Sequence, residues 1–249
     1  MDDYKNILNN KNILLTGGNG GIGKSIVKKL SKYNCKIIIT YNKNKKNALS
    51  LIKEINNNRI EALQLDLSSS NNINNFCENI KKYTDKIDIL INNAGVNKTM
   101  LFNSTDIEEW LEVFQINCLG HIMLIKKILP YMIKQKYGKI INILSISALS
   151  GTPGLTSYSS AKAALLAFSK SLVKEVSKYN ININCISPGY VDTGMTNNYS
   201  EDIKKSMMEK IPMKRFAKPE EIADLILFLI AGECNYINGQ NIIIDGGIN

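Results

Sequence analysis

The chain has 249 residues, 44% of them hydrophobic and 21% charged, which sustains a full hydrophobic core and argues against an intrinsically disordered chain. A formal net charge of +9 favours acidic partners, but the lysines are spread along predicted helices with no nucleic-acid motif, so no nucleic-acid partner is expected. Five cysteines (Cys35, Cys77, Cys118, Cys185 and Cys234) without a Cys-x-x-Cys pair, and a single histidine, speak against a disulfide scaffold and a zinc site, and fit reduced thiols in a cytoplasmic setting.

The polar start, with Asp2 and Asp3, predicts no cleavable leader. Strands are predicted at Asn12–Thr16, Lys36–Tyr41, Ile60–Asp66, Ile87–Ile91, Lys139–Ser145, Asn182–Ser187 and Asn241–Ile244. Most are nearly unbroken apolar runs, as in parallel strands buried on both faces. Helical patterns lie between them, among them Ile22–Tyr33, Ile107–Lys134 and Tyr158–Tyr179. The alternation predicts one α/β domain over residues 1–249, a doubly wound parallel sheet with right-handed crossovers. Asparagine clusters such as Asn56, Asn57 and Asn58 fall between the periodic segments and read as surface. The segment Pro188–Pro212 breaks the alternation and is expected to be the most mobile. The longest apolar stretch, Ile222–Ala231, is short and contains Asp224, so no membrane span is predicted.

The first strand runs into Thr16-Gly17-Gly18-Asn19-Gly20-Gly21-Ile22-Gly23, and a helix follows at once. Glycines at 17, 21 and 23 allow a tight turn and close backbone approach to a pyrophosphate, which the helix N-terminus then faces. Further along stand Asn92-Asn93-Ala94-Gly95, Tyr158-xxx-Lys162 and Pro188-Gly189. In this order and strand context, the four motifs resemble the short-chain dehydrogenase/reductase family over nearly the whole chain. Within that family, Gly138–Ser145, Ser187–Thr196 and Tyr236-Ile237-Asn238-Gly239-Gln240 with Asp245-Gly246-Gly247 look most like 3-oxoacyl-(acyl-carrier-protein) reductases. The resemblance implies a Rossmann-type sheet of seven strands ordered 3-2-1-4-5-6-7. It also implies a homotetramer, with Ile107–Lys134 and Tyr158–Tyr179 at one subunit contact and the C-terminal strand at another.

Tyr158 and Lys162 are four apart on a predicted helix and project from one face. An ammonium beside a phenol favours the phenolate and brings its pKa toward neutral pH, as acid–base work requires. Ser145 ends the preceding strand and can hold a substrate oxygen. Spacing alone does not choose it over Ser147, Ser159 or Ser160; the family pattern, with the serine thirteen residues before the tyrosine, selects it. Asn117 sits inside a predicted helix without local reason, and the resemblance makes it the fourth catalytic residue, linked to Lys162 through water. The same resemblance implies cofactor contacts by the turn residues Gly17, Asn19, Gly20, Gly21, Ile22 and Gly23, by Asn93, Ala94 and Gly95 near the ribose, and by Asp66 and Leu67 at the adenine. Ile186, Pro188, Gly189, Val191 and Thr193 are implied at the nicotinamide carboxamide, with Tyr158 and Lys162 serving cofactor and catalysis together. Asp66 could instead cap the next helix, as could Ser68 or Ser69. His121 reads as a packed or interface histidine, and Trp110 as a core or contact residue.

An acidic residue at the end of the second strand would repel a 2′-phosphate. Tyr41 stands there, no carboxylate occurs from Thr40 through Lys53, and Lys43, Lys45 and Lys46 crowd the region. NADP(H) is therefore the expected cofactor, although Gly20 replaces the arginine common in NADP-using relatives. The leading expectation is NADPH-dependent reduction of a 3-oxoacyl group on acyl carrier protein, in fatty acid synthesis. For that acidic carrier, Lys136 matches one docking position, while Tyr179, next to Lys178, occupies another that is usually basic. The alternatives are a sugar, steroid or polyketide-like alcohol as substrate, and a non-catalytic dinucleotide sensor, against which Asn117, Ser145, Tyr158 and Lys162 argue together.

Overall fold

The computed structural model describes residues 2–194, 200–232 and 234–249. Seven parallel strands form one sheet in the order β3-β2-β1-β4-β5-β6-β7. They are β1 Asn12–Leu15, β2 Lys36–Tyr41, β3 Ile60–Gln64, β4 Ile89–Asn92, β5 Gly138–Ile143, β6 Ile181–Pro188 and β7 Asn241–Ile244. The helices are α1 Asp2–Leu8, α2 Gly21–Leu30, α3 Lys45–Ile55, α4 Ser70–Asn79, α5 Ile107–Phe114, α6 Gly120–Gln135, α7 Ser147–Ser150, α8 Thr156–Val176, α9 Glu201–Glu209 and α10 Pro219–Ala231.

Alternation along each strand divides the core between the two faces. Ile13, Leu15, Ile37, Ile39, Ile89 and Ile91 pack with α2, α3 and α10 on one side. Leu14, Ile38, Leu90 and Ile140 pack with α4, α6 and α8 on the other. Strand order reverses between β1 and β4, where parallel strands part and a crevice opens at their carboxyl ends. The order is the expected one; strand ends shift by one or two residues.

The predicted helix Ile107–Lys134 is not continuous. A π-turn over Gln115–Leu119 separates α5 from α6, and such turns are often found at functional sites. The combined run Ile107–Gln135 is long and apolar enough to cross a membrane by length and composition, which the shorter stretch Ile222–Ala231 does not reveal. Its inner residues Leu124, Ile125, Ile128 and Met132 are built into the core beneath the sheet. The predicted helix Tyr158–Tyr179 ends at Val176 and continues as a 3₁₀ turn over Ser177–Tyr179. Of the segment expected to be mobile, residues 195–199 lie outside the described residues. The part beyond them forms α9.

Candidate active site

The glycine-rich turn is shaped for a phosphate. Gly17 has φ +64, and a Cβ there would come 2.9 Å from Ala94 Cα, so only glycine lets the turn lie against the segment after β4. Gly20 caps α2 with no side-chain bond to the first turn. The leading N–H groups of the helix are thus left for a ligand oxygen, with the positive end of the dipole behind them. Across this mouth stands Thr193, so near that a Cβ on Gly21 would fall 2.6 Å from Thr193 Cβ. Ile22 and Gly23 follow in the first turn of α2, Ile22 packed against the core and Gly23 buried. The cradle therefore fits the diphosphate of a dinucleotide.

The adenosine side is more mixed. The Asn19 amide donates to the Asn44 carbonyl at 3.2 Å, tying the turn to the loop after β2. Tyr41 is 8% exposed and packs in the core beside Ala48 and Leu51, so its ring does not stand free at the strand end. Asn42 and Lys43 are exposed there instead. Asp66 Oδ1 accepts from the Ser68 N–H at 2.9 Å and its hydroxyl at 2.7 Å. Ser69 caps α4 by accepting from Asn72 N, which leaves Asp66 Oδ2 without a bond to the described residues. Leu67 is buried, and its carbonyl accepts from Gln115 Nε2 at 3.3 Å.

After β4 the backbone is clamped. Thr16 Oγ1 accepts from the N–H groups of Asn93 and Ala94 at 2.9 and 3.0 Å, and Asn93 Nδ2 donates to the Thr16 and Gly17 carbonyls. At the far side, Ile186 is buried at the end of β6 and the Pro188 carbonyl accepts from Ile146 N at 3.0 Å. Gly189 N donates to Ile244 O at 2.9 Å. Val191 turns its side chain into the core.

The four expected catalytic residues come from three places in the chain: Asn117 from the π-turn, Ser145 from the turn after β5, and Tyr158 and Lys162 from α8. Asn117 lies in the π-turn, where its amide donates to the carbonyls of Val96 at 2.7 Å and Val113 at 2.8 Å, and its oxygen accepts from Val96 N. That bridge from helix to β4 loop supplies the local reason the helical pattern lacked. Gly95 sits between Asn117 and Lys162: a Cβ on it would be 2.6 Å from Asn117 Oδ1 and 3.6 Å from Lys162 Nζ. Lys162 is buried on α8 and donates to the Ile143 carbonyl at 2.8 Å. Burial lowers its pKa to about 8.

Tyr158, half-buried one turn earlier on α8, has its pKa pushed up to about 12 by burial, against which a hydrogen bond with Ser145 pulls down. The expected lowering by Lys162 is not what the structure gives. The ammonium stands 5.7 Å from the ring centroid, and desolvation of the phenolate dominates the shift. The phenol thus holds its proton as a donor. Ser145 Oγ accepts from both the N–H and the hydroxyl of buried Ser147, at 3.2 and 3.0 Å. Its own proton is thereby directed outward, toward Tyr158 and any oxygen placed beside it. Of the serines that spacing left open, Ser147 is buried and donates to Ser145, which is only half-buried.

His121 is fully buried and joins a line of polar groups beneath the site. It faces the Ala94 carbonyl and Asn92, Asn92 bonds Asn142 at 2.8 Å, and Asn142 bonds Ser169 at 2.8 Å. Trp110 stacks on Phe114 and donates to Thr156 Oγ1 at 3.2 Å, joining α5 to the start of α8. Among the described residues no group of His, Cys, Asp or Glu could hold a metal ion.

A phosphate cradle at the switch point of a parallel sheet, beside a tyrosine, a serine and a buried lysine, defines an α/β oxidoreductase that uses a nicotinamide dinucleotide. A family model described as enoyl-(acyl carrier protein) reductase matches residues 17–249. The 3-oxoacyl-(acyl-carrier-protein) reductase FabG of Aquifex aeolicus is 38% identical over 97% of this chain and 98% of its own length. The enzyme of the same name from Buchnera aphidicola subsp. Baizongia pistaciae is 38% identical over 94% and 96%. That from Thermotoga maritima is 34% identical over 97% and 98%. The chain belongs to the short-chain dehydrogenase/reductase family.

Proposed function

We propose that this enzyme reduces the 3-oxo group of an acyl thioester carried on acyl carrier protein to the 3-hydroxy form, with NADPH as reductant, in cytoplasmic fatty acid synthesis. The observation that carries the reading is the pair of hydroxyls, Ser145 and Tyr158, hydrogen-bonded side by side in front of Lys162. They suit a carbonyl oxygen that must gain a proton. The substrate class is supported by relatives bearing that activity in their names along almost their full length. Exposed Met100, Leu101 and Phe102, on the segment after β4, and Leu149, on α7 after β5, offer an apolar rim suited to an acyl chain.

When bound, the dinucleotide supplies a hydride. Gly17, the first turn of α2 and the exposed Asn42 and Lys43 would hold its phosphates, with Asp66, Asn93, Ala94 and Gly95 along the adenosine. Gly189 and Thr193 hold its other end. Ser145 donates to the substrate oxygen and stabilises its growing charge. Tyr158 then gives its proton to that oxygen, which raises the affinity of the neighbourhood for a cation. Lys162 meets that need, and Asn117, whose amide grips the Val96 backbone, is the residue that the family resemblance links to Lys162 through water.

The preference for the 2′-phosphate rests on Lys43 and the lack of any carboxylate from Thr40 through Lys53. For the carrier, exposed Lys136 and Lys178 supply positive charge, and Lys178 Nζ lies 5.2 Å from the Tyr179 ring centroid. A homotetramer is part of the proposal, supported by apolar side chains left in solvent: Ile107, Leu111 and Leu119 near α5, and Phe228 and Ile243 on α10 and β7. Light scattering that finds a stable monomer at micromolar concentration would contradict the assembly.

The functional test is NADPH oxidation with acetoacetyl-acyl carrier protein beside crotonyl-acyl carrier protein, sugars and steroid alcohols. Turnover of the acetoacetyl substrate should exceed the rest. Faster turnover of crotonyl thioester or of a sugar would replace the proposal.

A further inference from the structure

We propose that a cavity at the amino-terminal end of the sheet, opposite the catalytic cleft, binds a small oxyanion or carboxylate through Lys11, Tyr137 and Lys139. Lys139 is the second residue of β5, while Ser145 follows the other end of the same strand. At ~3.3 Å per residue, the two lie roughly 20 Å apart, so this is not part of the cofactor site.

Two groups there lack what physical chemistry demands of them, and a third crowds them with charge. Lys139 is only 4% exposed, yet the one acceptor its ammonium reaches among the described residues is the Leu229 carbonyl, at 3.5 Å. A buried ammonium with three donors and one distant acceptor is costly. The Tyr137 hydroxyl is buried with no hydrogen-bond partner. Lys11 Nζ stands 3.9 Å from the Tyr137 ring centroid, which adds a second cation beside the first. All three line one cavity of about 370 Å³, with Asn6, Asn9 and Asn235 at its edge.

The acidic group nearby does not answer these needs. Asp88, buried, accepts from Asn12 N at 2.8 Å and pairs with Lys86 at 3.5 Å. Burial, with the Asp88 charge adding to it, raises the Tyr137 pKa to about 12, so the phenol remains a donor. Burial, followed by the repulsion of Lys11, lowers the pKa of Lys139. A bound anion would relieve both effects on the lysine and accept from the orphaned hydroxyl in charge-assisted bonds. The volume is about ten times a water's share of ~30 Å³, which admits an anion with an organic portion.

The probe is inorganic phosphate, titrated by calorimetry against chloride at matched ionic strength into enzyme saturated with NADPH, so that the N-terminus of α2 is already filled. Saturable binding and a raised Tm are expected. Lys139→Met and Tyr137→Phe should each weaken it at least ~10-fold, the size of one lost hydrogen bond to a charged group. Both variants should fold, since one removes an under-solvated buried charge and the other only a hydroxyl, and turnover at the distant cleft should be unchanged. Phosphate acting no differently from chloride, or binding equally to both variants, would overturn the proposal. So would binding that emerges only in Glu233→Gln, because the chain's own carboxylate, which lies outside the described residues, would then be the natural occupant.

Discussion

His121 Nε2 lies 2.8 Å from the Ala94 carbonyl oxygen, while its Nδ1 lies 3.2 Å from Asn92 Oδ1. A carbonyl only accepts, so Nε2 carries the proton. Burial, with repulsion from Lys162, lowers the ring pKa to about 3, so the ring is neutral and holds a single proton. Beyond the ring, Asn92 Nδ2 donates to Asn142 Oδ1 at 2.8 Å, Asn142 Nδ2 donates to Ser169 Oγ at 2.8 Å, and the Ser169 hydroxyl donates to the Leu165 carbonyl at 2.6 Å. Donation thus runs from Asn92 through Asn142 and Ser169 to the backbone of α8, while His121 itself donates to the backbone after β4.

The pH consequence has a definite sign. An unfolded histidine titrates near ~6.5, whereas the native ring refuses a proton until about pH 3. Between those values the unfolded state binds more protons, so stability falls with falling pH, by up to about 1.4 kcal/mol per unit. Urea unfolding from pH ~6.5 down to ~5 should show this slope, and His121→Gln, which cannot titrate, should flatten it. Equal slopes in the two proteins would remove His121 as the cause.

Tyr158→Phe deletes only the hydroxyl. Fold and NADPH binding should survive while turnover drops at least ~100-fold, the low end for acid–base catalysis. Lys162→Ala should damage cofactor binding as well as turnover. Substantial activity in Tyr158→Phe with an intact circular dichroism spectrum would end the case for that proton donor.

The pKa of about 8 at Lys162, below its ordinary 10.5, fixes the alkaline limb of the reduction. As pH rises through 8 the ammonium is lost, while Tyr158, at about 12, keeps its proton. The value of kcat/KM, which reports the free enzyme, should therefore fall above about pH 8. A profile flat to pH ~10 would show that the charge of Lys162 is not needed.

Lys43→Glu places a carboxylate near the 2′ position and should reverse or erase the preference for NADPH by like-charge repulsion. Dissociation constants for NADPH and NADH, measured by fluorescence titration, give the ratio. An unchanged ratio would shift attention to Asn19 or Asn42.

Gly95→Ala would bring a Cβ within 2.6 Å of Asn117 Oδ1, forcing the amide off Val96. Turnover should fall at least ~10-fold, with a loss of ~1–3 kcal/mol in unfolding free energy as the buried amide loses partners. Gly20→Ala is the control, since the nearest atom to its Cβ is the Gly17 carbonyl oxygen at 3.4 Å. Equal tolerance of both substitutions would refute the packing argument.

Strand positions were legible because apolar runs of four to eight residues between helical patterns have few other uses, and the glycine turn was legible because it joins β1 to α2 directly. Lys36–Tyr41 and Asn241–Ile244 emerge with their predicted bounds. The π-turn at Gln115–Leu119 was hidden, because a one-residue widening leaves apolar periodicity nearly intact; the interior Asn117 was its only trace. Likewise, sequence places Ser145 and Ser147 two apart but cannot say which hydroxyl faces out; the turn after β5 buries one and presents the other. Nor can it give the protonation of Tyr158 or Lys162, since adjacency on a helix predicts attraction, whereas burial, set by distant residues, decides the balance. Local order and spacing are written in the chain, but desolvation and hydrogen-bond direction belong to neighbours that only the folded sheet brings together.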